Sequence, residues 1–249
     1  MENKHDIVRM EELFLNTWPT LETKLYDGWV LRFARGYTKR SNSIHPLYPN
    51  LAPLEHKMEK CEKFYAEEGL PLIFKMTEMS QPADLDEFLG NRGYDKIDQT
   101  LVMHLNLDKW DFEESGDIIY SRNNSVKWMD SFCEFAKLSE EQRVIFGNLL
   151  RLNGEKNLYT VLCEGEEVVG CGLGVVKTPI AGIFSVIIRE NERGKGFGRK
   201  LLGNMLSKIR SLGVEDAYLQ VTESNENAIK LYDSFGFKEL YKYWYRKKV

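Results

Sequence analysis

The six residues Arg193-Gly194-Lys195-Gly196-Phe197-Gly198 constrain this chain more than any other stretch. Before them, Ile183 to Ile188 is a short apolar, β-branched run that reads as a buried strand. After them, Leu201, Leu202, Met205, Ile209 and Leu212 recur at helical spacing, and Gly213 stands where a helix stops. A glycine-rich turn that leads from a strand into a helix is an anion site. The glycines let backbone N–H groups approach phosphate oxygens, and the helix N-terminus adds partial positive charge. Arg193, Lys195, Arg199 and Lys200 surround the turn with full charges. Many glycine-rich hexamers are only flexible turns, and the flanking strand and helix are what sharpen this one.

The charge distribution agrees with a small polyanionic ligand. The chain carries net charge −4, which argues against a general nucleic-acid binder, yet Arg193 to Val249 holds 12 Lys and Arg against 6 Asp and Glu. A solvated basic surface would give the same count. Apolar runs fall far short of the roughly 20 residues that span a bilayer, and Met1 to Met10 is charged from its second residue. The expectation is therefore a soluble chain with no membrane partner. Cys61, Cys133, Cys163 and Cys171 lie far apart, with His5, His45, His56 and His104 unclustered beside them. No metal site or disulfide framework is expected, and a reducing cytoplasm is the default setting.

Beyond Gly213, Ala217 to Val221 alternates as a strand. Ala228, Leu231, Tyr232 and Phe235 form one face of a helix that begins near Ser224 or Asn225 and ends at Gly236, and Glu239 to Tyr245 reads as an aromatic-rich strand. The same order occurs earlier. Leu54, Met58, Cys61 and Tyr65 form a helical stripe ending at Gly69, Leu72 to Met76 reads as a strand, Leu85, Phe88 and Leu89 lie on a helix ending near Gly93, and Thr100 to Leu107 closes the series as a strand. Placing Gly93-Tyr94 over Gly236-Phe237 also brings Met76 over Leu219. Short α/β patterns also repeat by chance. Where the second copy has Arg193 to Gly198, the first has Pro49-Asn50-Leu51-Ala52-Pro53. The polar, aperiodic stretch Asp108 to Gly116 reads as a linker.

Two phosphate-binding patterns fail on detail. A P-loop needs Gly-Lys followed by Ser or Thr, but Gly194-Lys195 is followed by Gly196. A dinucleotide fingerprint needs G-x-G-x-x-G, whereas Gly194, Gly196 and Gly198 are spaced evenly by two. The stretch Ile188 to Gly198 instead resembles motif A of the GNAT superfamily of N-acetyltransferases, Gln/Arg-x-x-Gly-x-Gly/Ala, with Arg193, Gly196 and Gly198 in its three defining places. About 30 residues on, Asn225-Glu226-Asn227-Ala228-Ile229-Lys230-Leu231-Tyr232 followed by Phe235-Gly236-Phe237 resembles the family's N-x-x-A-x-x-L-Y…G-F pattern. Family members often have proline where this chain has Glu190, a difference that bears on loop stiffness.

The resemblance implies an α/β (α+β) GNAT fold: a mixed, mostly antiparallel sheet with splayed central strands flanked by helices. A smaller, degenerate GNAT-like half would precede it, giving domains at 1–110 and 117–249. It implies acetyl-CoA as cofactor. Backbone groups of Val186 and Ile188 would bond the pantetheine arm, the amides of Gly194, Lys195, Gly196, Phe197 and Gly198 would hold the pyrophosphate with Arg193 beside them, and Arg199 or Lys200 would reach the outer phosphates. Asn225 would steady the cofactor or the splayed strand, or only cap its helix. Tyr232 resembles the tyrosine that protonates the departing thiolate, though its place on an apolar stripe also fits a core role. For a general base the chain offers Glu190, Glu192 and Glu223, or water acting through Ser185. The implied reaction moves acetyl to a primary amine of a small molecule or peptide, by a monomer or homodimer. A non-catalytic acyl-CoA sensor or interaction module is the other reading.

The run Trp29 to Ser43 resembles the N-terminal region of a two-part GNAT subgroup. It reads as a hairpin with Trp29, Leu31 and Phe33 alternating toward the core. Arg32, Arg40 and Asn42 would either reach the acceptor side or tie the halves together. The segment Val126 to Asn153 is the expected source of acceptor contacts.

Overall fold

A computed structural model describes residues 4–123 and 125–248. The elements are, in order, α1 (Lys4–Thr17), β1 (Glu22–Tyr26), β2 (Trp29–Phe33), β3 (Ile44–His45), α2 (Leu54–Glu67), β4 (Ile73–Met76), α3 (Leu85–Asn91) and β5 (Asp95–Asn106). They continue with β6 (Asp117–Ser121), α4 (Val126–Phe135), α5 (Glu140–Asn153), β7 (Asn157–Glu164), β8 (Glu167–Lys177), β9 (Ile180–Ile188), α6 (Phe197–Ser211), β10 (Asp216–Thr222), α7 (Glu226–Ser234) and β11 (Lys238–Lys247). No helix among the described residues is long and apolar enough to cross a membrane.

The chain forms two compact units. The first holds the described residues up to Leu101, with Thr222–Ser224 and those from Tyr241 onward. The second holds Val102–Val221 and Asn225–Leu240.

In the first unit the strands run β1-β2-β3-β4-β11, antiparallel except for the parallel β3/β4 pair at Ile44 and Phe74. Trp29, Leu31 and Phe33 do face a core with Met58, Cys61 and Tyr65 of α2. The expected alternation stops there, because all five residues of β2 are buried. Val30 and Arg32, on the opposite face, line a cavity with Glu12 and Leu15 of α1. A strand covered on both faces cannot show a polar side. Arg32 and Asn42 use their polar groups within this unit: the Arg32 guanidinium donates to the carbonyls of Trp18 and Arg40. The Asn42 amide accepts from the N–H groups of Ala34 and Gly36 and donates to the carbonyls of Tyr37 and Thr38.

In the second unit the order is β5-β10-β9-β8-β7-β6. The β9/β10 pair is parallel, while β6/β7, β7/β8 and β8/β9 are antiparallel. Gly170, Gly172 and Gly174 on one face of β8 receive Leu201, Met205 and Ile209 of α6. A Cβ on these glycines would lie 3.4, 2.4 and 3.0 Å from those side chains. Glycine at every second strand position meets an apolar residue at every fourth helix position, so the helix seats deep on the sheet. The segment 108–116 has no regular structure but docks on α6. The Arg210 guanidinium donates to the carbonyls of Trp110 and Asp108, and Asn204 exchanges hydrogen bonds with the Ser115 backbone.

Leu54 and Phe197, Ile73 and Asp216, and Asp95 and Lys238 open α2 and α6, β4 and β10, and β5 and β11. All three pairs are separated by the same 143 positions. The ends of α3 and α7 share it too: the N–H groups of Tyr94 and Phe237 return to the carbonyls of Leu89 and Tyr232 at 3.1 and 3.2 Å. The neighbours of the parallel pairs, however, are exchanged: β11 lies beside β4, and β5 beside β10.

Candidate active site

The parallel pairing of β9 with β10 runs from Ile180 and Asp216 to Ile183 and Leu219 and ends there. A bulge accounts for the divergence. Phe184 faces Leu173 and Ile187 faces Cys171, so Ser185 and Val186 together oppose Gly172, and Ser185 takes φ 52°. A bulge bends its strand and increases the local twist. Beyond it, Ile187 and Ile188 stay with β8, and the edge of Val186 to Ile188 that faces away from β8 has no strand pairing with β10.

Glu190–Glu192 form a single 3-10 turn and lead into the glycine segment. Gly194 and Gly196 have φ 78° and 85°, and an added Cβ would meet nothing within 4 Å at either. Both positions favour glycine for their backbone conformation, and the space over them is open. Gly196 is also the N-cap of α6. Among the described residues, the backbone N–H groups of Gly194 through Gly198 donate to no protein acceptor. Those at a helix start have no intrahelical partner and attract anions. The residues present therefore fit a diphosphate. Gly198 serves differently: its Cβ would lie 3.3 Å from Leu231, so it lets α7 approach α6.

The side chains around the turn are locally engaged. Phe197 is buried, which leaves only its backbone for a ligand. The Lys195 ammonium pairs with Glu192 at 2.9 Å, the Arg193 Nε donates to the Ile188 carbonyl at 3.3 Å, and Arg199 donates to the Ser234 hydroxyl at 3.1 Å. Lys200 lies over the Phe197 ring. Asn225 caps α7, its Oδ1 accepting the Ala228 N–H at 3.2 Å. Tyr232 is buried on α7, with its ring edge-on to Phe237 at 5.9 Å. The three carboxylates considered as bases are all paired. Glu190 meets Lys137 at 3.1 Å, which holds its carboxyl below the usual range, Glu192 meets Lys195, and Glu223 meets Lys242 at 2.9 Å. Among the described residues no group of three His, Cys, Asp or Glu could hold a metal ion.

Sequence reasoning missed the bulge at Ser185 and the glycine ladder of β8. The ladder had a signal, the alternation Gly170-Cys171-Gly172-Leu173-Gly174. The bulge had none, because it is a matter of register between strands.

Known proteins resemble this chain in sequence and in fold. The family model described as "Probable histone acetyltransferase Rv0428c C-terminal" matches residues 5–246. "Uncharacterized N-acetyltransferase YobR" of Bacillus subtilis is 26% identical over 247 residues, 98% of this chain and 99% of that one. The [ribosomal protein bS18]-alanine N-acetyltransferase of Haemophilus influenzae is 33% identical over 114 residues, covering 43% of this chain and 77% of its own length. A GCN5-related N-acetyltransferase from Kribbella flavida shares the fold with TM-score 0.74 at 13% identity, covering 97% of this chain and 95% of that one. The open, mostly antiparallel sheet flanked by helices is the fold of these structural neighbours. The chain belongs to the GNAT family of N-acetyltransferases.

Proposed function

We propose that the chain transfers acetyl from acetyl-CoA to a primary amine of a small molecule or peptide. The observation that carries this reading is the row of N–H groups from Gly194 to Gly198, without protein acceptors among the described residues, at the start of α6. Acetyl-CoA, when bound, supplies a thioester whose carbonyl carbon an amine can attack. In this reading the five amides hold the pyrophosphate, Arg193, Lys195, Arg199 and Lys200 turn toward its outer charges, and the backbone of Val186 and Ile188 aligns the pantetheine arm. Tyr232 gives its hydroxyl proton to the departing thiolate, a transfer suited to a group whose ordinary pKa near 10 lies close above that of a thiol near 8.5. Asn225 acts through the cap that fixes the start of Tyr232's helix. Because Glu190, Glu192 and Glu223 are held in ion pairs, the amine enters neutral or loses its proton to water near Ser185.

The first unit is read as a degenerate copy of the same fold, on the strength of the shared 143-residue offset. The alanine acetyltransferase relative supports an amine acceptor, and its match is confined to 43% of the chain.

Native mass spectrometry of the purified chain for bound CoA, followed by thiol release from acetyl-CoA with a panel of amines, tests the proposal. A chain that takes up no CoA overturns it. CoA uptake without thiol release from any amine favours the sensor reading.

A further inference from the structure

We propose that Asp27 fills, inside the first unit, the anion position that the second unit keeps for a phosphate, so that the chain binds one CoA rather than two. The proposal rests on the reading of residues 193–198 given above. The 143-residue offset sets Leu51, Ala52, Pro53 and Leu54 against Gly194, Lys195, Gly196 and Phe197, and Lys57 against Lys200. The first member of each pair thus belongs to the approach to α2, the second to the approach to α6.

At the first of these turns an acceptor is already in place. Asp27 Oδ1 accepts the Leu51 N–H at 2.9 Å and Oδ2 accepts the Ala52 N–H at 3.1 Å. Pro53, at the position of Gly196, has no N–H to offer. The Lys57 ammonium stands 3.5 Å from Oδ2, donates to the Asp27 carbonyl and lies 3.8 Å from the centre of the Trp29 ring. Two amides and a lysine on the first turn of the helix therefore meet a carboxylate of the same chain. The Leu51 and Ala52 N–H groups and Lys57 hold the Asp27 carboxyl below its ordinary range against the effect of burial, and burial brings Lys57 down to about 8.

The carboxylate is delivered by the β1–β2 turn. Asp27 and Gly28 have φ 45° and 81°, as a two-residue Asp-Gly hairpin requires. This turn is pressed against the chain ahead of α2. A Cβ at Gly28 would lie 2.3 Å from the Pro49 carbonyl oxygen and 2.6 Å from that of Tyr48, whose N–H donates to the Gly28 carbonyl at 3.1 Å. A diphosphate has no room between them. In the second unit the first residue of β8, Glu167, pairs with Arg189 at 3.0 Å, and the amides from Gly194 to Gly198 stay without a protein acceptor among the described residues.

Two measurements on the full chain test this. Calorimetry with CoA should give one site in the wild type and none in Gly196→Glu. Two sites in the wild type, or a site that survives Gly196→Glu and is lost with Ala52→Glu, would overturn the proposal. No binding by the wild type would instead overturn the reading of residues 193–198, and Asp27 would then be judged by melting alone. Asp27→Gly keeps the positive φ and removes the carboxylate. It should melt several degrees lower in sodium chloride and recover part of the loss, saturably, in sodium formate of equal ionic strength, with the wild type unmoved. Wild-type melting, or a loss that formate does not reduce, would overturn the role. Should Asp27→Gly not fold, Asp27→Asn removes only the charge: a lower melting temperature supports the proposal, and an unchanged one overturns it.

Discussion

The ring of Phe112 lies on the backbone of Gly203 in α6, so close that a Cβ there would come within 2.3 to 2.5 Å of three ring atoms. Alanine at a glycine inside a helix ordinarily stabilises by roughly 0.5–1 kcal/mol. Here the methyl group displaces a ring, an overpacking that costs about 1–3 kcal/mol. Gly203→Ala should therefore destabilise the wild type and stabilise the Phe112→Ala protein. Urea melts of the four proteins check the change of sign, and an equal effect in both backgrounds would refute the contact's importance.

Gly196→Glu should abolish CoA binding and leave the chain folded. The substitution places bulk and negative charge beside the five amides proposed to hold a pyrophosphate. Its cost through the positive φ of 85° is about 1 kcal/mol. Calorimetry with CoA and a thermal melt separate the two effects. Unchanged affinity in a folded mutant removes the turn from the site.

Tyr232→Phe keeps the ring against Phe237 and removes only the hydroxyl. If that hydroxyl protonates the thiolate, kcat should fall on the order of 10² to 10⁴ with cofactor affinity nearly unchanged. A packing role predicts a lower Tm with kcat per folded molecule preserved. Steady-state kinetics with a thiol reporter beside melting curves distinguishes them.

The first unit should be acid-labile. Burial pushes the His45 imidazole down to about 4, with the charges of Lys75 and Arg32 acting in the same direction and Glu11 against it. Burial alone would raise the Glu11 carboxyl, but the Lys75 ammonium and His45 bring it to about 2. Both values lie below those of the unfolded chain, roughly 6.5 and 4.3, so the unfolded state binds more protons as the pH falls. The contribution of these two groups is full above about pH 6.5. It declines first through the His45 window down to about 4 and then through the Glu11 window down to about 2, each contributing on the order of 3 kcal/mol. Equilibrium unfolding against pH checks the slope, and His45→Gln should flatten its upper part.

Local chemistry was legible in the sequence. Helix α7 announces itself through Asn225, which caps it, and Gly236, whose φ of 89° follows its end. The strand, glycine turn and helix around Arg193 to Gly198 fall where the pattern sets them. What was not legible depends on distant partners. Phe112 sits in a stretch that reads as a polar linker, and its ring rests on Gly203 and beside Phe235, both far along the chain. Nothing near Asp27 reveals that its carboxylate will meet the amides of Leu51 and Ala52. Glu190, Glu192 and Glu223 look alike as bases until Lys137, Lys195 and Lys242 are found beside them.

The exchanged strands fix the order in which this molecule can be completed as it is synthesised. Trp244 of β11 faces Met76 of β4, and the Arg246 guanidinium, 160 positions along the chain from Asp86, closes on that carboxylate at 2.7 and 2.9 Å. A ribosome that has made the whole first half has therefore not made the strand that seals it. Until residues 241–247 emerge, the β4 edge stands open to whatever strand comes by, and a chain stopped short of Tyr241 would be damaged in the unit it finished first.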